Sequence, residues 1–396
     1  MIAKLPIIYN FTHLSKEKMN EEEDALSRKL KQRSATDSYR SLTVNSTELV
    51  DFSSNDYLGL SQNELLQNRI LQTYQARTVR KNGATGSRLL TGTSQLILET
   101  ESALARTFCS ENGLIFSSGY MANLAFFSTI PQKGDTLLYD ELSHACIKDG
   151  ARLGMAKKFP FKHNDMDQLA AKLKRAEGQV YIVCESVYSM DGDFAPLTEM
   201  AELAKQYNAR LVVDEAHSTG VFGHEGNGLV NQLGLTHEVY ACIYTFGKAM
   251  GVHGAFIACP SIAREYLVNF SRPFIYTTAP SDFEVVAMAE ALKTVAEQPK
   301  LVSGLHERIT LFRQSCGPHL PLIDSMSAIQ AVLIPDNEKV KAASAYLKQQ
   351  GYDVRPILSP TVKAGEERLR ICLHNYNSEK EIVGLTNSLN DYLSVN

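Results

Sequence analysis

An α/β architecture on a largely parallel sheet is the expectation for this chain of 396 residues. Three features carry it. Short apolar runs recur between Val50 and Pro280, they are continuous rather than alternating, and longer amphipathic segments separate them. Continuous runs of Val, Ile, Leu and Tyr suit strands covered on both faces. Regular alternation of such runs with helical segments places them in parallel units.

In chain order, 20–33 reads as a helix. Asn20 can cap it, Glu21, Glu22 and Glu23 sit at its positive end, and Arg28, Lys29 and Lys31 sit toward its negative end. With the polar stretch that follows, 1–48 is expected to be an arm. The strand candidates of the main body are 113–116, 136–139, 180–184, 211–213, 239–244 and 255–258, with helices at 93–108 and 196–208 among others. The stretch 112–132 has no charge and is about as long as a membrane span. Ser117, Ser118, Gly119, Asn123 and Ser128 interrupt it, so a buried strand, a turn and a buried helix are predicted. A helix-rich stretch, 281–316, leads to strands at 328–334, 353–355 and 369–373. A final helix opens with Ser378 and Glu381 as a capping box and carries the stripe Ile382, Leu385, Leu389, Leu393. The expected division is 1–48, 49–285 and 286–396.

Composition narrows the function. Apolar residues are 44% and charged residues 21%, which excludes disorder as the main state. Lys plus Arg is 40 and Asp plus Glu is 44, a net charge of −4, which argues against general nucleic-acid binding. The 7 cysteines are odd in number and lack a C-x-x-C spacing, as expected of free thiols in a reducing cytoplasm. Residues 1–20 lack the basic start and apolar run of a signal peptide. No membrane partner is expected.

Several short segments could carry chemistry. Leu211-Val212-Val213-Asp214-Glu215-Ala216-His217 runs an apolar strand into a carboxylate and then a histidine, where ligands bind in open α/β sheets. Asp214 could equally cap a helix. A metal pair lacks a third ligand at a telling spacing, and no metal is expected. In Tyr244-Thr245-Phe246-Gly247-Lys248-Ala249-Met250-Gly251 a lysine follows a buried strand among apolar and small residues. Desolvation there would lower its pKa and suit it to attack a carbonyl. It is not a Walker loop, because Cys242 and Ala249 stand where that motif needs Gly and Ser or Thr. Ser117-Ser118-Gly119-Tyr120-Met121-Ala122-Asn123 ends a strand and starts a helix whose free N–H groups suit a phosphate. His144, just past the 136–139 run, can stack on a planar ring or fill a polar pocket. The glycine-rich turns at 83–92 and 220–228 lack the setting of a dinucleotide loop.

One cofactor needs all four elements. A lysine for a covalent imine, a strand-end Asp for a pyridinium nitrogen, a ring-stacking His and a phosphate-binding helix start are the requirements of pyridoxal 5'-phosphate.

At these residues the chain resembles the α-oxoamine synthases, from about Asp51 to Leu389. The matching stretches are Phe52-Ser53-Ser54-Asn55-Asp56-Tyr57-Leu58-Gly59, Gly86-Ser87-Arg88-Leu89-Leu90-Thr91-Gly92, Phe116-Ser117-Ser118-Gly119-Tyr120, Ser189-Met190-Asp191-Gly192-Asp193, Asp214-Glu215-Ala216-His217, Thr245-Phe246-Gly247-Lys248 and Arg368-Leu369-Arg370-Ile371. The resemblance implies a type I pyridoxal-phosphate transferase fold. That fold has a large domain with a mostly parallel seven-stranded sheet between helices and a smaller α+β C-terminal domain. It implies that Lys248 binds the cofactor covalently and then removes the amino acid's α-proton, that Asp214 pairs with the pyridine nitrogen, and that His144 stacks on the ring. His217 would bond the phenolic oxygen and help orient the acyl carbonyl. Ser189, Thr245 and the backbone of Gly119 and Tyr120 would hold the cofactor, with Glu185 and Asn55 as polar residues of the site. Arg370 would bind the amino-acid carboxylate, Thr361 the acyl substrate, and Arg40 the region near the acyl chain. Thr278 would reach the phosphate of a neighbouring subunit, which implies a homodimer with shared sites. Where the family often reads Thr-Ala-Leu-Pro-Pro, this chain reads Thr278-Ala279-Pro280-Ser281.

The implied reaction joins an amino acid to an acyl thioester of coenzyme A or acyl-carrier protein, with loss of carbon dioxide and release of the thiol. Arg272-Pro273-Phe274-Ile275-Tyr276-Thr277-Thr278 and Pro360-Thr361-Val362 tilt the reading toward L-alanine and a pimeloyl thioester. A glycine- or serine-using member, or a protein of this fold that binds without catalysing, are the alternatives.

Overall fold

The computed structural model describes residues 24–42, 44 and 48–395. The chain divides into a unit through Asn45 and a unit from Ser46 onward. Among its described residues the first contains one helix, Ala25–Ala35, with no buried residue and no side-chain bond from Asp24 at its start. The expected cap Asn20, with Glu21, Glu22 and Glu23, lies outside the described residues.

The second unit is built on a seven-stranded sheet. Its spatial order is Asn112–Phe116, Ala255–Cys259, Ala241–Thr245, Arg210–Asp214, Val180–Glu185, Thr136–Asp140, Lys157–Phe161. Ala255–Cys259 is antiparallel to both neighbours, and the remaining adjacent pairs are parallel. The expected mostly parallel sheet is therefore present. Successive residues of the strands other than Lys157–Phe161 enter opposite cores. Leu114, Phe116, Val183, Val212 and Ile243 pack with Ala122, Phe126 and Ile147 on one face. Ile115, Ile182, Val213, Cys242 and Phe256 pack with Leu104, Met200 and Val286 on the other. Both faces are dry, which is why no polar alternation marks these strands.

One strand of this sheet has no counterpart among the sequence expectations. Lys157–Phe161 forms the sheet edge, four of its residues are exposed, and it contains Pro160. An edge strand needs no apolar run and tolerates proline, so neither usual signal was there to find.

The uncharged stretch resolves as predicted into the strand Asn112–Phe116 and the helix Gly119–Thr129. Among the described residues no helix is long and apolar enough to cross a membrane. Helix Gln95–Thr107 is capped by Ser94, and Leu197–Gln206 begins after Pro196. Toward the C-terminus, Asp282–Glu297 and Pro299–Ser315 lead to a three-stranded antiparallel sheet, Arg355–Ile357, Arg368–Cys372, Ile329–Leu333. The single strand expected at 353–355 is instead two pieces. Tyr352–Asp353 pairs in parallel with Val50–Asp51, and Arg355–Ile357 pairs with Arg368–Cys372. Buried Val354 is the pivot between them. The capping box at Ser378 and Glu381 is present, with bonds of 2.7 and 3.3 Å.

Candidate active site

The carboxyl ends of the parallel strands converge on Lys248. This residue follows Ala241–Thr245 by three positions, in a loop turned back by a 2.9 Å bond from Gly251 N to Lys248 O. Gly251 has φ +66, and a Cβ there would lie 2.4 Å from Ser61 N, so only glycine permits this close turn. Burial pushes the Lys248 ammonium below its ordinary pKa, with Asp214 and Glu185 opposing.

A continuous hydrogen-bonded path leaves the amine. Lys248 Nζ lies 2.7 Å from His217 Nε2, and His217 Nδ1 lies 2.8 Å from Tyr57 Oη. Tyr57 donates to Asn55 Oδ1 at 3.0 Å, and Arg370 Nη2 donates to the same oxygen at 3.0 Å. Tyr57 has a single proton and gives it to Asn55, so it accepts from His217 Nδ1–H. His217 Nε2 is then left as an acceptor for Lys248. Burial, followed by the nearby charges of Lys248 and Arg370, keeps this imidazole well below its ordinary pKa and therefore neutral. Arg370 is held by Ser189, whose carbonyl takes Nε at 2.6 Å, and by Cys372 Sγ at 2.9 Å from Nη1.

Asp214 ends its strand buried. Its Oδ2 accepts from Asn123 Nδ2 at 2.6 Å and its Oδ1 from Ala216 N at 2.8 Å. Asn123 also donates to Gly119 O at 3.1 Å, which ties Asp214 to the first turn of helix Gly119–Thr129. His144 caps helix Ala145–Leu153 through Nδ1, which accepts from Cys146 N at 3.3 Å with Cys146 Sγ at 2.9 Å. Burial lowers its pKa as well. Its own N–H donates at 2.6 Å to Glu185, a fully buried carboxyl raised by burial and then by Asp214.

The helix that begins at Gly119 supplies anion-binding geometry. Ser118 Oγ satisfies Met121 N, and Ala122 N bonds Ser118 O, which leaves the first amides, of Gly119 and Tyr120, directed out of the helix end. Gly119 packs closely on Thr245, where an added Cβ would sit 3.3 Å from Thr245 Oγ1. The Tyr120 hydroxyl donates to Asp149.

Not every expected residue joins this cluster. Thr278 is exposed, and the segment after it packs on the Gly86–Gly92 turn, with Ala279 N bonded to Gly86 O at 3.0 Å. Ser281 directly starts the helix Asp282–Glu297 with a capping box. Thr361 is exposed, with its N–H on Leu358 O at 2.8 Å; Lys363, two residues on, reaches Glu141 at 3.3 Å. Arg40 belongs to the N-terminal unit. Sequence reasoning passed over Tyr57 and Asn123. Both lie inside motif stretches singled out for other residues; Asn123 had the signal of an amide among apolar residues, whereas Tyr57, after the polar run Ser53-Ser54-Asn55-Asp56, had none.

A primary amine with a lowered pKa, a buried carboxylate fixed by an amide, a neutral imidazole and free helix-start amides fit pyridoxal phosphate. A cavity of about 920 Å³ lies elsewhere, between Val221–Glu225 and the helix Pro299–Ser315.

Comparison with known proteins agrees. The aminotransferase class I and II family matches residues 47–384. An 8-amino-7-oxononanoate synthase from Emericella nidulans is 38% identical, over 93% of this chain and 95% of its own length. An 8-amino-7-oxononanoate synthase structure from Francisella tularensis superposes with a TM-score of 0.77 at 28% identity, covering 88% of this chain and 99% of that one. A serine palmitoyltransferase from S. paucimobilis, with bound PLP, gives a TM-score of 0.84 at 26% identity, covering 96% of this chain and 100% of that one. With the motifs gathered around one buried lysine and relatives of this similarity along nearly its whole length, the chain belongs to the aminotransferase class I and II family and, within it, to the α-oxoamine synthases.

Proposed function

We propose that this chain condenses L-alanine with a pimeloyl thioester, releasing carbon dioxide and the thiol and giving 8-amino-7-oxononanoate, a step of biotin biosynthesis. The observation that carries the reading is the path from Lys248 through His217, Tyr57 and Asn55 to Arg370. It links a base to a carboxylate-binding fork within one site. The named relatives supply the substrate class.

Pyridoxal phosphate, when bound, supplies an aldehyde for an amine and a ring that stabilises a carbanion. Lys248 Nζ would carry the cofactor and take the proton from the amino acid's α-carbon. Asp214 would face the ring nitrogen and hold its proton, with Asn123 keeping the carboxylate in place. His144 would lie against the ring. His217, neutral and in contact with Lys248 through Nε2, would carry its proton on that nitrogen once the amine is engaged, and from there hold the phenolic oxygen and orient the acyl carbonyl. The amides of Gly119 and Tyr120, with Ser189 and Thr245, would hold the cofactor, beside Glu185. Arg370, aimed by Ser189 and Asn55, would bind the carboxylate through its planar fork. Thr361 and Arg40 would serve the acyl chain, and Thr278 would reach the partner's site in a cytoplasmic homodimer. The donor would be coenzyme A or an acyl-carrier protein, and 286–396 would act as the small domain.

The test is thiol release from pimeloyl-CoA by the purified holoenzyme with L-alanine, glycine or L-serine, with the product identified by mass. Release with alanine and a product of the expected mass is the predicted result. Release only with serine and a longer acyl thioester would move the assignment toward the palmitoyltransferase relatives.

A further inference from the structure

One half-buried cluster plays no part in the chemistry above. His163 follows the edge strand Lys157–Phe161 and is bonded through both ring nitrogens. Nδ1 lies 3.0 and 3.1 Å from the two oxygens of Asp140, and Nε2 lies 2.7 Å from Asp193 Oδ2. Ionised carboxylates only accept, so both nitrogens must carry hydrogen and the ring is an imidazolium. Asn164 reinforces the same pair. Its N–H donates to Asp140 Oδ2 at 3.0 Å, and its Nδ2 donates to Asp193 Oδ2 and Phe194 O, both at 3.0 Å. The Tyr188 ring closes over His163 edge-on, with centroids 4.4 Å apart.

Each aspartate belongs to a turn of the active site. Asp140 Oδ1 accepts from Leu142 N at 2.8 Å and its carbonyl accepts from Ser143 N at 3.0 Å, which shapes the turn that delivers His144. Asp193 O accepts from Tyr188 N at 3.0 Å, and Gly192 N bonds Tyr188 O at 2.8 Å, closing the turn that contains Ser189. The Ser189 carbonyl in turn holds Arg370. On its far side that turn is already fixed, because Asp191 pairs with Arg368 and a Cβ on Gly192 would lie 2.1 Å from Ile329 O.

We propose that His163 is a positioning residue: its imidazolium clamps the His144 turn to the Ser189 turn and thereby sets the carboxylate pocket at Arg370. The identity of that pocket rests on the function proposed above; the clamp itself does not. Burial works against the charge, but the two carboxylates outweigh it and push the ring up to about 9. The other groups around the pair are Lys148, Glu185 and Cys184, which feel Asp140 from the neighbouring helix and strand, the Tyr188 hydroxyl, and Lys162 and Asp165 on the same segment. Since the folded-state value is raised, the clamp is complete at neutral pH and is lost as pH rises through about 9.

The test uses propanoate as a competitor of L-alanine in the holoenzyme, because its carboxylate does not titrate in this range. In the wild type, its inhibition constant should be flat near neutrality and climb above pH about 9. In His163→Gln it should be raised roughly 10- to 100-fold at neutral pH and lose that step, since a displaced pocket costs about this much. Independently of catalysis, NMR of the cofactor-free protein should show one histidine, absent in His163→Gln, titrating near 9. If His163→Gln does not fold, Asp193→Asn carries the test: the step should move to lower pH with a smaller rise in the constant. An unchanged constant and pH profile in the folded variant, or a histidine titrating at the ordinary value, overturns the clamp. Failure of propanoate to compete in the wild type overturns the Arg370 pocket instead, and the NMR result still decides the clamp.

Discussion

The turn that follows the strand Arg210–Asp214 has two sides, and they do different work. On one side Asp214 and His217 meet Asn123, Lys248 and Tyr57. On the other, Glu215 points into the core. It accepts from Leu229 N at 2.9 Å and Val230 N at 2.8 Å and takes the Ser218 hydroxyl, so it caps the short helix Leu229–Gln232. Adjacent carboxylates in one motif thus divide between the cluster around Lys248 and the architecture beneath it. Strand geometry explains the split, because successive side chains at a strand end leave on opposite faces.

The sharpest way to test this division is at its reactive end. Lys248→Ala should lower thiol release by about 10^4-fold or more while leaving thermal unfolding near the wild-type value, since the general-base and covalent roles proposed for it would vanish together. Asp214→Asn should follow, with a loss of about 10^2- to 10^3-fold in kcat and an altered visible spectrum of the bound cofactor. A stability loss in this variant as large as its neighbour's would break the comparison.

Glu215→Ala should behave in the opposite way. Two buried amides would lose their acceptor, so the expected cost is about 3 kcal/mol in denaturant unfolding, with kcat changed little in the protein that remains folded. The carboxyl is raised by burial to about 7 from its ordinary 4.5. A raised carboxyl favours the folded state when protonated, so this contribution is complete below pH about 4.5 and is lost as pH rises through about 7. Glu215→Gln should flatten that part of the stability profile, which unfolding measurements across the range would detect.

Smaller effects sharpen the path away from Lys248. Arg370→Lys keeps the charge but loses the planar fork, so KM for alanine should rise about 10-fold, with kcat changed less. Tyr57→Phe removes the bonds to His217 Nδ1 and Asn55 Oδ1; the loss at His217, worth about 1 kcal/mol, should lower kcat/KM roughly 5-fold. Thr361→Ala should show the least, about 2-fold or less, and only in KM for the thioester. A larger effect there would mean that this exposed segment closes on the substrate.

Much of this arrangement was legible beforehand, because it depends on local order along the chain. Strands buried on both faces read as continuous apolar runs, and a residue just past such a run lies at a strand end. Asp214, His144 and Lys248 could be placed on that ground. The capping box at Ser378 is likewise a relation three residues long. The sheet edge Lys157–Phe161 has no apolar run and stayed hidden. The split of 352–357 between two sheets also stayed hidden, because the partners Val50–Asp51 and Arg368–Cys372 lie far away in sequence.

Motif chemistry and the places of most strands along the chain therefore came from residue types at short spacing, where the backbone's period and the burial of apolar groups leave few choices. The direction of each bond around them did not. That Tyr57 and Asn55 bridge His217 to Arg370, that Glu215 turns inward, and that His163 sits between Asp140 and Asp193 are contacts between segments tens to hundreds of residues apart. Such contacts depend on how the sheet and the C-terminal strands pack together, and short-range spacing carries no record of that packing.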